Sequence, residues 1–365
     1  MSKQLTSTPK NDGFWMPAEW EPHDQCWMIW PERTDNWRQG GKPAQRAYAT
    51  FANTIAKYEK VTMLVSYQQF EHARNLLGEN VRVIECSNDD AWMRDVGPTI
   101  VKNKNGQIRG VDWIFNAWGG LLGGLYFPWD KDDAIAQKTC EILNIDYYRP
   151  DFVLEGGSIH TDGERTLFTT EECLLNKNRN PHLTKEQIEE NLKSFCGVDK
   201  VIWLPFGVYN DETNGHVDNM LHVVAPGHVL LTWTEDKDDP QYERSQAAYQ
   251  ILTTTLDAKG REIKVTKLHQ PGPLFIEPVE ADDIDLSNTM ARAEGLRMPA
   301  SYANFYIANQ AIILPIFGDK YDDLAITTLQ TVFPNHKIEP IMAREILLGG
   351  GNIHCITQQQ PTSSK

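Results

Sequence analysis

Apolar runs separated by turns recur along the chain, and helix-like segments follow them. Turns with Asn-Gly, Asp-Gly or Pro-Gly and frequent β-branched residues indicate hairpins. The paired runs are "GPTIV…NKNGQIRGVDWIF", "GSIHTDGERTLFTT", "VDNMLHVVAPGHVLLTWT" and "ANFYIANQAIILPIF". The predicted helices that follow them span 132–143, 184–196, 242–256 and 321–333. A short apolar strand comes after each helix ("DYYRP", "KVIWLP", "EIKVTKL", "KIEPIM"), so the predicted unit is ββαβ.

A fifth copy is incomplete near the C-terminus, and its missing parts occur near the N-terminus. The chain ends soon after "GGGNIHCIT", whereas residues 26–31, 43–58 and 60–65 read as strand, helix and strand. Closing the fifth unit in this way predicts an α/β ring with five-fold pseudosymmetry around a central site. We expect one catalytic domain over residues 1–365, with flexible ends at about 1–12 and 360–365.

The first strand of each unit is preceded by a related motif. "LEGGSIHT" at 154–161 and "LGGGNIHC" at 348–355 agree at five of eight positions. Similar contexts are "MRDVGPTIV", "TNGHVDNMLHVV" and "SYANFYIAN". In a ring, equivalent positions face one axis, which would gather a set of ionisable residues there: Asp95, Glu155, His216, Asp218 and Cys355. Buried ionisable groups are expensive unless they act on something, although any one of them could simply cap a turn.

These residue types together point to chemistry on a cation. Cys355 and His216 form a nucleophile and proton-shuttle pair, and Glu155 could orient or charge-stabilise the histidine. The remaining acids, Asp95 and Asp218, would repel an anion but fit the two forks of a planar guanidinium. Sulfur attack on its central carbon would expel ammonia, and water would then release a urea-type product.

Residues next to these positions have functional and packing interpretations. Trp92 could stack on a flat cation or simply pack in the core. The glycines of the last motif, 349–351, could admit a ligand close to the backbone, with Gly350 and Gly351 as candidate contacts, or supply turn torsions. In an extended segment His354 would face away from Cys355, so it is interpreted as structural. His160 and His222 are interpreted as packing or surface histidines in the same way.

Composition narrows the class of protein. The formal charge of −15 argues against nucleic-acid binding and would favour the approach of a small cation. Six scattered cysteines without a C-x-x-C pair fit reduced thiols rather than a disulfide framework or a zinc site. The start of the chain has no signal-like apolar core, and the sequence has no run long enough to span a bilayer, so we expect a cytoplasmic location.

The motifs resemble those of a known family over nearly the whole chain. "NDDAWMRDVGPT", "VLEGGSIHTDG", "ETNGHVDN", "YANFYIAN" and "GGGNIHCITQQQP" are similar to the agmatine deiminase family. This family belongs to the guanidine-modifying pentein superfamily of five-bladed α/β propellers, in the branch of bacterial peptidyl-arginine deiminases. The resemblance implies hydrolysis of agmatine to N-carbamoylputrescine and ammonia, without metal or organic cofactor, as a step in polyamine (putrescine) metabolism.

Carried over by position, the resemblance gives each residue a role. Cys355 would form an amidino-cysteine intermediate, and His216 would be the general acid and base. Asp95 and Asp218 would clamp the guanidinium, and Glu155 would support them. Assembly into a homo-oligomer is left open.

Other functions remain open at the level of sequence. Another guanidine could be the substrate: free arginine, peptidyl-arginine or a methylated arginine. Glu32 and Asp35 are candidates for the contact with agmatine's amine. A cysteine amidohydrolase would leave the paired aspartates without a role, and a non-catalytic binding protein would not need the full set of Cys, His and acids.

Overall fold

The computed structural model describes residues 2–286 and 289–364, and these contain five ββαβ units. In each unit the first two strands are antiparallel, and a helix leads to a third strand that runs parallel to the second. Unit one comprises strands Thr99–Asn103 and Ile108–Val111, helix Ile135–Leu143 and strand Tyr147–Tyr148. Unit two comprises strands His160–Thr161 and Thr166–Thr170, helix Lys185–Cys196 and strand Lys200–Leu204.

The other three units repeat this order. Unit three comprises strands Leu221–Ala225 and His228–Trp233, helix Gln241–Thr254 and strand Lys264–His269. Unit four comprises strands Tyr306–Ala308 and Ala311–Ile316, helix Asp322–Val332 and strand Lys337–Met342. Unit five comprises strands Gln358–Pro361 and His23–Ile29, helix Lys42–Ile55 and strand Lys60–Val65.

Unit five confirms that the two ends of the sequence build one unit. Gln358–Pro361 pairs antiparallel with His23–Ile29, with Gln358 opposite Trp27 and Gln360 opposite Gln25. Helix Phe70–Leu76 and strand Val81–Glu85 follow, and the strand adds a fourth member to this sheet.

Hydrogen bonds between the turns that precede the first strands join neighbouring units. Units one and two meet where the Gly157 amide donates to Asp95 at 2.9 Å, and units three and four where the Ser301 hydroxyl donates to the Asn219 carbonyl at 2.6 Å. The circle closes between units five and one, where the Arg94 amide donates to the Cys355 carbonyl at 3.0 Å. The remaining two joints are the contacts between Glu155 and His216 and between Asn304 and the amide of His354. The predicted five-unit ring is thus confirmed.

Short strands, helices and 3₁₀ turns lie outside the five units. The added strands are Gln4–Leu5, Phe14–Trp15, Leu274–Phe275 and Arg297–Met298. The short α-helices are Met93–Val96, Gly120–Gly123, Asp130–Asp133, Glu171–Leu174, Val217–Met220, Pro278–Ala281 and Arg344–Leu348. Single 3₁₀ turns occur at Gln39–Gly41, Tyr67–Gln69 and Gly156–Ser158.

Local sequence explains several element boundaries. The helix of unit two begins with a capping box, in which Thr184 and Gln187 satisfy each other's backbone amides. The helix predicted at 132–143 begins later, at Ile135, because Asp132 is buried in a separate turn where it accepts from the amides of Asp89 and Asp90.

The core consists of apolar clusters beneath the sheets, and the polar centre lies where the five turns meet. Within residues 2–286 and 289–364, every helix is too short or too polar to cross a bilayer.

The predicted single domain and its flexible ends stay predictions. Parts of both end segments lie in strands: Gln4–Leu5 pairs with Tyr147–Tyr148, and residues 360 and 361 belong to Gln358–Pro361. Met1 and Lys365, at the extremes of these segments, lie outside the described residues.

Candidate active site

The five motif residues predicted from sequence converge at the centre of the ring. Each comes from a turn that precedes the first strand of its unit. All five are buried, and Cys355 is the most accessible at 7%. They are Asp95 before unit one, Glu155 before unit two, His216 and Asp218 before unit three, and Cys355 before unit five.

The Cys355 sulfur lies near two hydrogen-bond acceptors. Its sulfur lies 3.5 Å from Asn304 Oδ1 and 4.0 Å from Asp218 Oδ2. Burial, together with the negative charges of Asp218 and Asp95, raises the pKa of the Cys355 thiol well above its usual value. The free protein therefore holds a thiol at neutral pH, and a cation placed among these carboxylates would favour the thiolate.

His216 is held by two carboxylates. Nε2 lies 3.4 Å from Glu155 Oε2, and Nδ1 lies 3.9 Å from Asp95 Oδ1. Burial alone would lower the pKa of His216, but Asp95, Cys173 and Glu155 raise it well above the ordinary histidine value. His216 is thus an imidazolium at neutral pH and can serve as an acid.

Glu155 stays ionised because an arginine completes its environment. Arg179 Nε donates to Glu155 Oε1 at 2.7 Å, with both side chains fully buried. Burial would raise the pKa of Glu155, but the charge of Arg179 and the contact with His216 hold it below the usual value. Arg179 also donates to the carbonyls of Trp118 and Thr213.

The two candidate clamp residues differ electrostatically. Burial raises the pKa of Asp95 to about 6; His216 opposes this shift, whereas Asp218 and Glu155 add to it. Asp95 accepts from the Gly157 amide and the Trp118 indole, each at 2.9 Å. Burial would also raise the pKa of Asp218, but a 2.8 Å contact with His354 holds it below the ordinary aspartate value.

Gly157 marks the point where the acid, the base and the clamp approach one another. A Cβ there would lie 2.6 Å from His216 Nδ1 and 2.9 Å from both Asp218 Oδ2 and Asp95 Oδ1. No side chain fits at this position, so a glycine is required for the three groups to converge.

Cys355 lines a cavity that opens to solvent. Its walls include Asp95, the indoles of Trp92 and Trp118, and Glu212. The second predicted clamp, Asp218, is not among the residues that line this cavity; it contacts the sulfur from behind.

The glycines of the last motif shape one wall of the cavity. All three of Gly349, Gly350 and Gly351 line it. Gly350 has a φ of +103°, and a Cβ on Gly351 would lie 2.3 Å from Cζ3 of Trp92. Backbone torsion and close packing thus both require glycine here.

One interpretation of the histidines is wrong. Residues 353–356 form a turn rather than an extended strand, so His354 does not face away from the site. His354 Nδ1 and the Cys355 sulfur approach the same oxygen, Asp218 Oδ2. His160 and His222 are buried and pack against each other, with ring centroids 4.4 Å apart.

Two clusters bring possible metal-ligand atoms within 4.8 Å of one another. They are Glu19 with His160 and His222, and Glu155 with Cys173 and His216. Each cluster already has a guanidinium as its cation, because Arg179 bonds Glu155 and Arg94 Nη2 lies 4.0 Å from Glu19. Charge therefore disfavours an additional metal ion at either cluster.

Comparison with known proteins identifies the family and the fold. Residues 15–361 match the model of the Porphyromonas-type peptidyl-arginine deiminases. The chain belongs to this peptidyl-arginine deiminase family. The resemblance expected from the motifs is thereby confirmed, and so is the α/β propeller.

Similarity to individual family members extends over the full length. A Mycoplasma capricolum relative is 81% identical over 363 residues, which cover 100% of both chains. The agmatine deiminase of Pseudomonas aeruginosa is 57% identical over 363 residues, or 99% of each chain. A solved structure of the agmatine deiminase of Enterococcus faecalis has a TM-score of 0.97 and 51% identity, covering 99% of this chain and 100% of that one.

In this member of the peptidyl-arginine deiminase family, sequence reasoning missed three site residues. Gly157 belongs to the "EGGS" echo, and Asn304 occupies the motif position of unit four, so the repeat itself could have found both. Arg179 lies in the polar loop "NKNRNP", where nothing in the pattern distinguishes it from a solvated arginine. Glu32 and Asp35, the candidates for the amine contact, line a different and open depression.

Proposed function

We propose that the protein is an agmatine deiminase that hydrolyses the guanidinium group of agmatine to N-carbamoylputrescine and ammonia. The observation that carries the proposal is one buried thiol, 4.0 Å from the Asp218 carboxylate and in the same cavity as Asp95, with the His216 ring 3.9 Å from Asp95. Agmatine deiminases from Pseudomonas aeruginosa and Enterococcus faecalis are 57% and 51% identical to this chain over almost its whole length, which supports agmatine as the substrate.

Binding prepares the nucleophile. A guanidinium that passes beyond the cavity wall, to lie between Asp95 and the deeper Asp218, adds a positive charge beside the thiol and satisfies Asp218 Oδ1, a buried oxygen that has no hydrogen-bond partner among the described residues. The same cation lowers the pKa of the Cys355 thiol, whose proton leaves to solvent as agmatine enters.

The first half-reaction forms the covalent intermediate. The Cys355 thiolate attacks the central carbon, and an S–C bond forms to give a neutral tetrahedral adduct. His216 then donates its proton to one terminal nitrogen, so the C–N bond breaks and ammonia leaves. An amidino-cysteine cation remains, held by the two aspartates.

The second half-reaction uses the neutral histidine as a base. His216 takes a proton from water as the water oxygen attacks the amidino carbon. The second adduct collapses with cleavage of the S–C bond, and the proton of its hydroxyl returns to sulfur. N-carbamoylputrescine leaves, and the thiol and imidazolium are restored.

A carboxylate on the cavity wall supports a substrate with a cationic tail. Glu212 lines it, with its side chain 11% exposed, and forms an ion pair with Arg292. Arg292 could attract the carboxylate of free arginine, but it is already bound by Glu212 and Asn36. We assign Glu212 as the carboxylate that contacts agmatine's amine, which would share it with Arg292.

Ammonia release from agmatine, arginine and a peptidyl-arginine tests the function. Agmatine should be the best substrate by kcat/KM, with no turnover by Cys355→Ala. Quenched wild-type protein should carry an amidino adduct on Cys355, detected by intact mass. Preference for either arginine substrate would replace the assignment of agmatine, and failure to release ammonia from any guanidine would refute deiminase activity.

Glu212→Gln tests the tail assignment separately. Its KM for agmatine should rise about tenfold, with a smaller change in kcat, because the lost contact is remote from the reacting carbon. Equal loss with arginine and agmatine would contradict the assignment. A cytoplasmic location stays a prediction, and assembly into a homo-oligomer stays open.

A further inference from the structure

A row of charged groups behind Asp218 is not used by the steps above. His354 Nδ1 lies 2.8 Å from Asp218 Oδ2, and His354 Nε2 lies 2.8 Å from Glu19 Oε2. Glu19, His354 and Asp218 are 4%, 1% and 0% exposed. Because each ring nitrogen faces a carboxylate, both must carry protons, and His354 is an imidazolium.

The other groups around His354 leave the positive charge on this ring. Burial lowers the pKa of His160 well below its usual range and that of His222 to about 4, so both are neutral. Burial and Arg94 would also lower the pKa of His354, but Glu19 and Asp218 raise it above the ordinary value. Arg94 Nε donates to the His354 carbonyl at 3.2 Å, away from the ring nitrogens.

The arrangement decides which oxygen of Asp218 remains available. Oδ2 is engaged by His354, whereas Oδ1 is buried and has no hydrogen-bond partner within residues 2–286 and 289–364. An adjacent cation also offsets the repulsion that Asp218 experiences from Asp95.

Glu19 is itself fixed from outside the site. It lies in the N-terminal segment "MPAEWEPH", and its Oε1 accepts from the Ile307 amide in unit four at 3.0 Å. Its position is therefore set by the scaffold rather than by a ligand.

We propose that Glu19 is a positioning residue for the reaction: it keeps His354 protonated, and His354 keeps Asp218 ionised with Oδ1 free for the guanidinium. This inference rests on the proposed function. It assigns to a residue some 200 positions from Asp218 a role that acts through His354.

Agmatine binding to inactive protein tests this relay from Glu19 through His354 to Asp218. In the Cys355→Ala background, calorimetry compares the agmatine Kd of Glu19→Gln, Asp218→Asn and the double variant. Glu59→Gln is the matched control, because Glu59 is also a fully buried glutamate, 3.2 Å from His23 and bonded to Tyr306. Both substitutions replace the buried glutamate of a Glu–His pair by its amide.

Glu19→Gln should raise the Kd about tenfold or more, as expected when a buried charge partner is lost, while Glu59→Gln changes it less than about twofold. In the double variant Glu19→Gln should add little to Asp218→Asn, because both act on the same oxygen. The relay is refuted, while the proposed function stands, if Glu19→Gln and Glu59→Gln change the Kd equally. The same holds if the effects of Glu19→Gln and Asp218→Asn on the Kd simply add in the double variant. If the Cys355→Ala protein does not bind agmatine at all, the proposed function fails first.

A measurement on wild-type protein covers the case in which Glu19→Gln does not fold. Nitrogen-15 NMR of labelled histidine should show one imidazolium that persists well above the ordinary histidine pKa, in addition to His216, and it should be absent from His354→Asn. Asparagine keeps a donor near the Nδ1 position but cannot carry the charge. A neutral His354 at pH 7 in wild-type protein overturns the proposal.

Discussion

Replacing Glu155 with glutamine should slow ammonia release and shift its pH dependence. The substitution keeps the shape of the side chain and its acceptor for Arg179 Nε, but it removes the charge 3.4 Å from His216 Nε2. Asp95 is then the one carboxylate among the groups that raise the pKa of His216, so this pKa falls and less imidazolium is available to protonate the leaving nitrogen.

The magnitude follows from the distance. Unit charges 3.4 Å apart interact by about 5 kcal/mol at an effective dielectric constant of about 20. Relaxation and the residual dipole of glutamine reduce the net loss, which we place at about 3 kcal/mol, or on the order of a 100-fold fall in kcat. Arg179 loses its buried counter-ion as well, so the free energy of unfolding should fall by about 2 kcal/mol.

Steady-state ammonia release between about pH 5 and pH 9 provides the assay. The alkaline limb of kcat should move to lower pH in Glu155→Gln, because a weaker base loses its proton earlier. Thermal unfolding of the same samples separates loss of activity from loss of folded protein. An unchanged alkaline limb, or kcat within about threefold of wild type, would refute the assignment of His216 as the acid supported by Glu155.

Further predictions concern the glycine, the clamp and the nucleophile. Gly157→Ala should fold with a loss of about 1–3 kcal/mol yet lack measurable turnover, since its methyl group would lie 2.6 Å from His216 Nδ1; turnover near wild type would contradict the crowded centre. With the pKa of Asp95 raised to about 6, kcat/KM for agmatine should fall as the pH drops through that value, because protonated Asp95 cannot clamp a cation. If the acid limb of the kcat/KM profile is the same in Asp95→Asn as in wild type, Asp95 is not the group that titrates there. Iodoacetamide should alkylate free Cys355 at a rate that still rises above pH 8, because the pKa of the thiol is raised, with Cys355→Ala as control; a plateau near pH 7 would show a preformed thiolate.

Much of the ring could be predicted because the same unit occurs five times. Paired apolar runs and turn residues located the hairpins, and the repeated motif located Asp95, Glu155, His216, Asp218 and Cys355. Each motif residue precedes a first strand, so the ring geometry alone brings these positions together.

The residues that the sequence did not reveal depend on contacts between distant segments. His354 was assigned to the wrong face because an extended backbone was assumed where residues 353–356 form a turn. Arg179 acts through a loop that looks solvated, and Glu19 reaches the site only because the N-terminal segment packs against unit four. The repeated motif places the candidate clamp Asp218 among the central residues, but the positions of Asp218 and His354 in the sequence do not predict the contact between them.

The pairing of Gln358–Pro361 with His23–Ile29 has a consequence for biosynthesis. The ribosome makes the clamp and the acid before it makes Cys355, and His23–Ile29 keeps one unpaired edge until the closing strand emerges. A nascent chain thus carries its carboxylates and imidazole before it carries the nucleophile. The nucleophile is supplied together with the strand that pairs this edge, so a chain stalled before that point exposes an unpaired strand and lacks the cysteine that the proposed reaction needs.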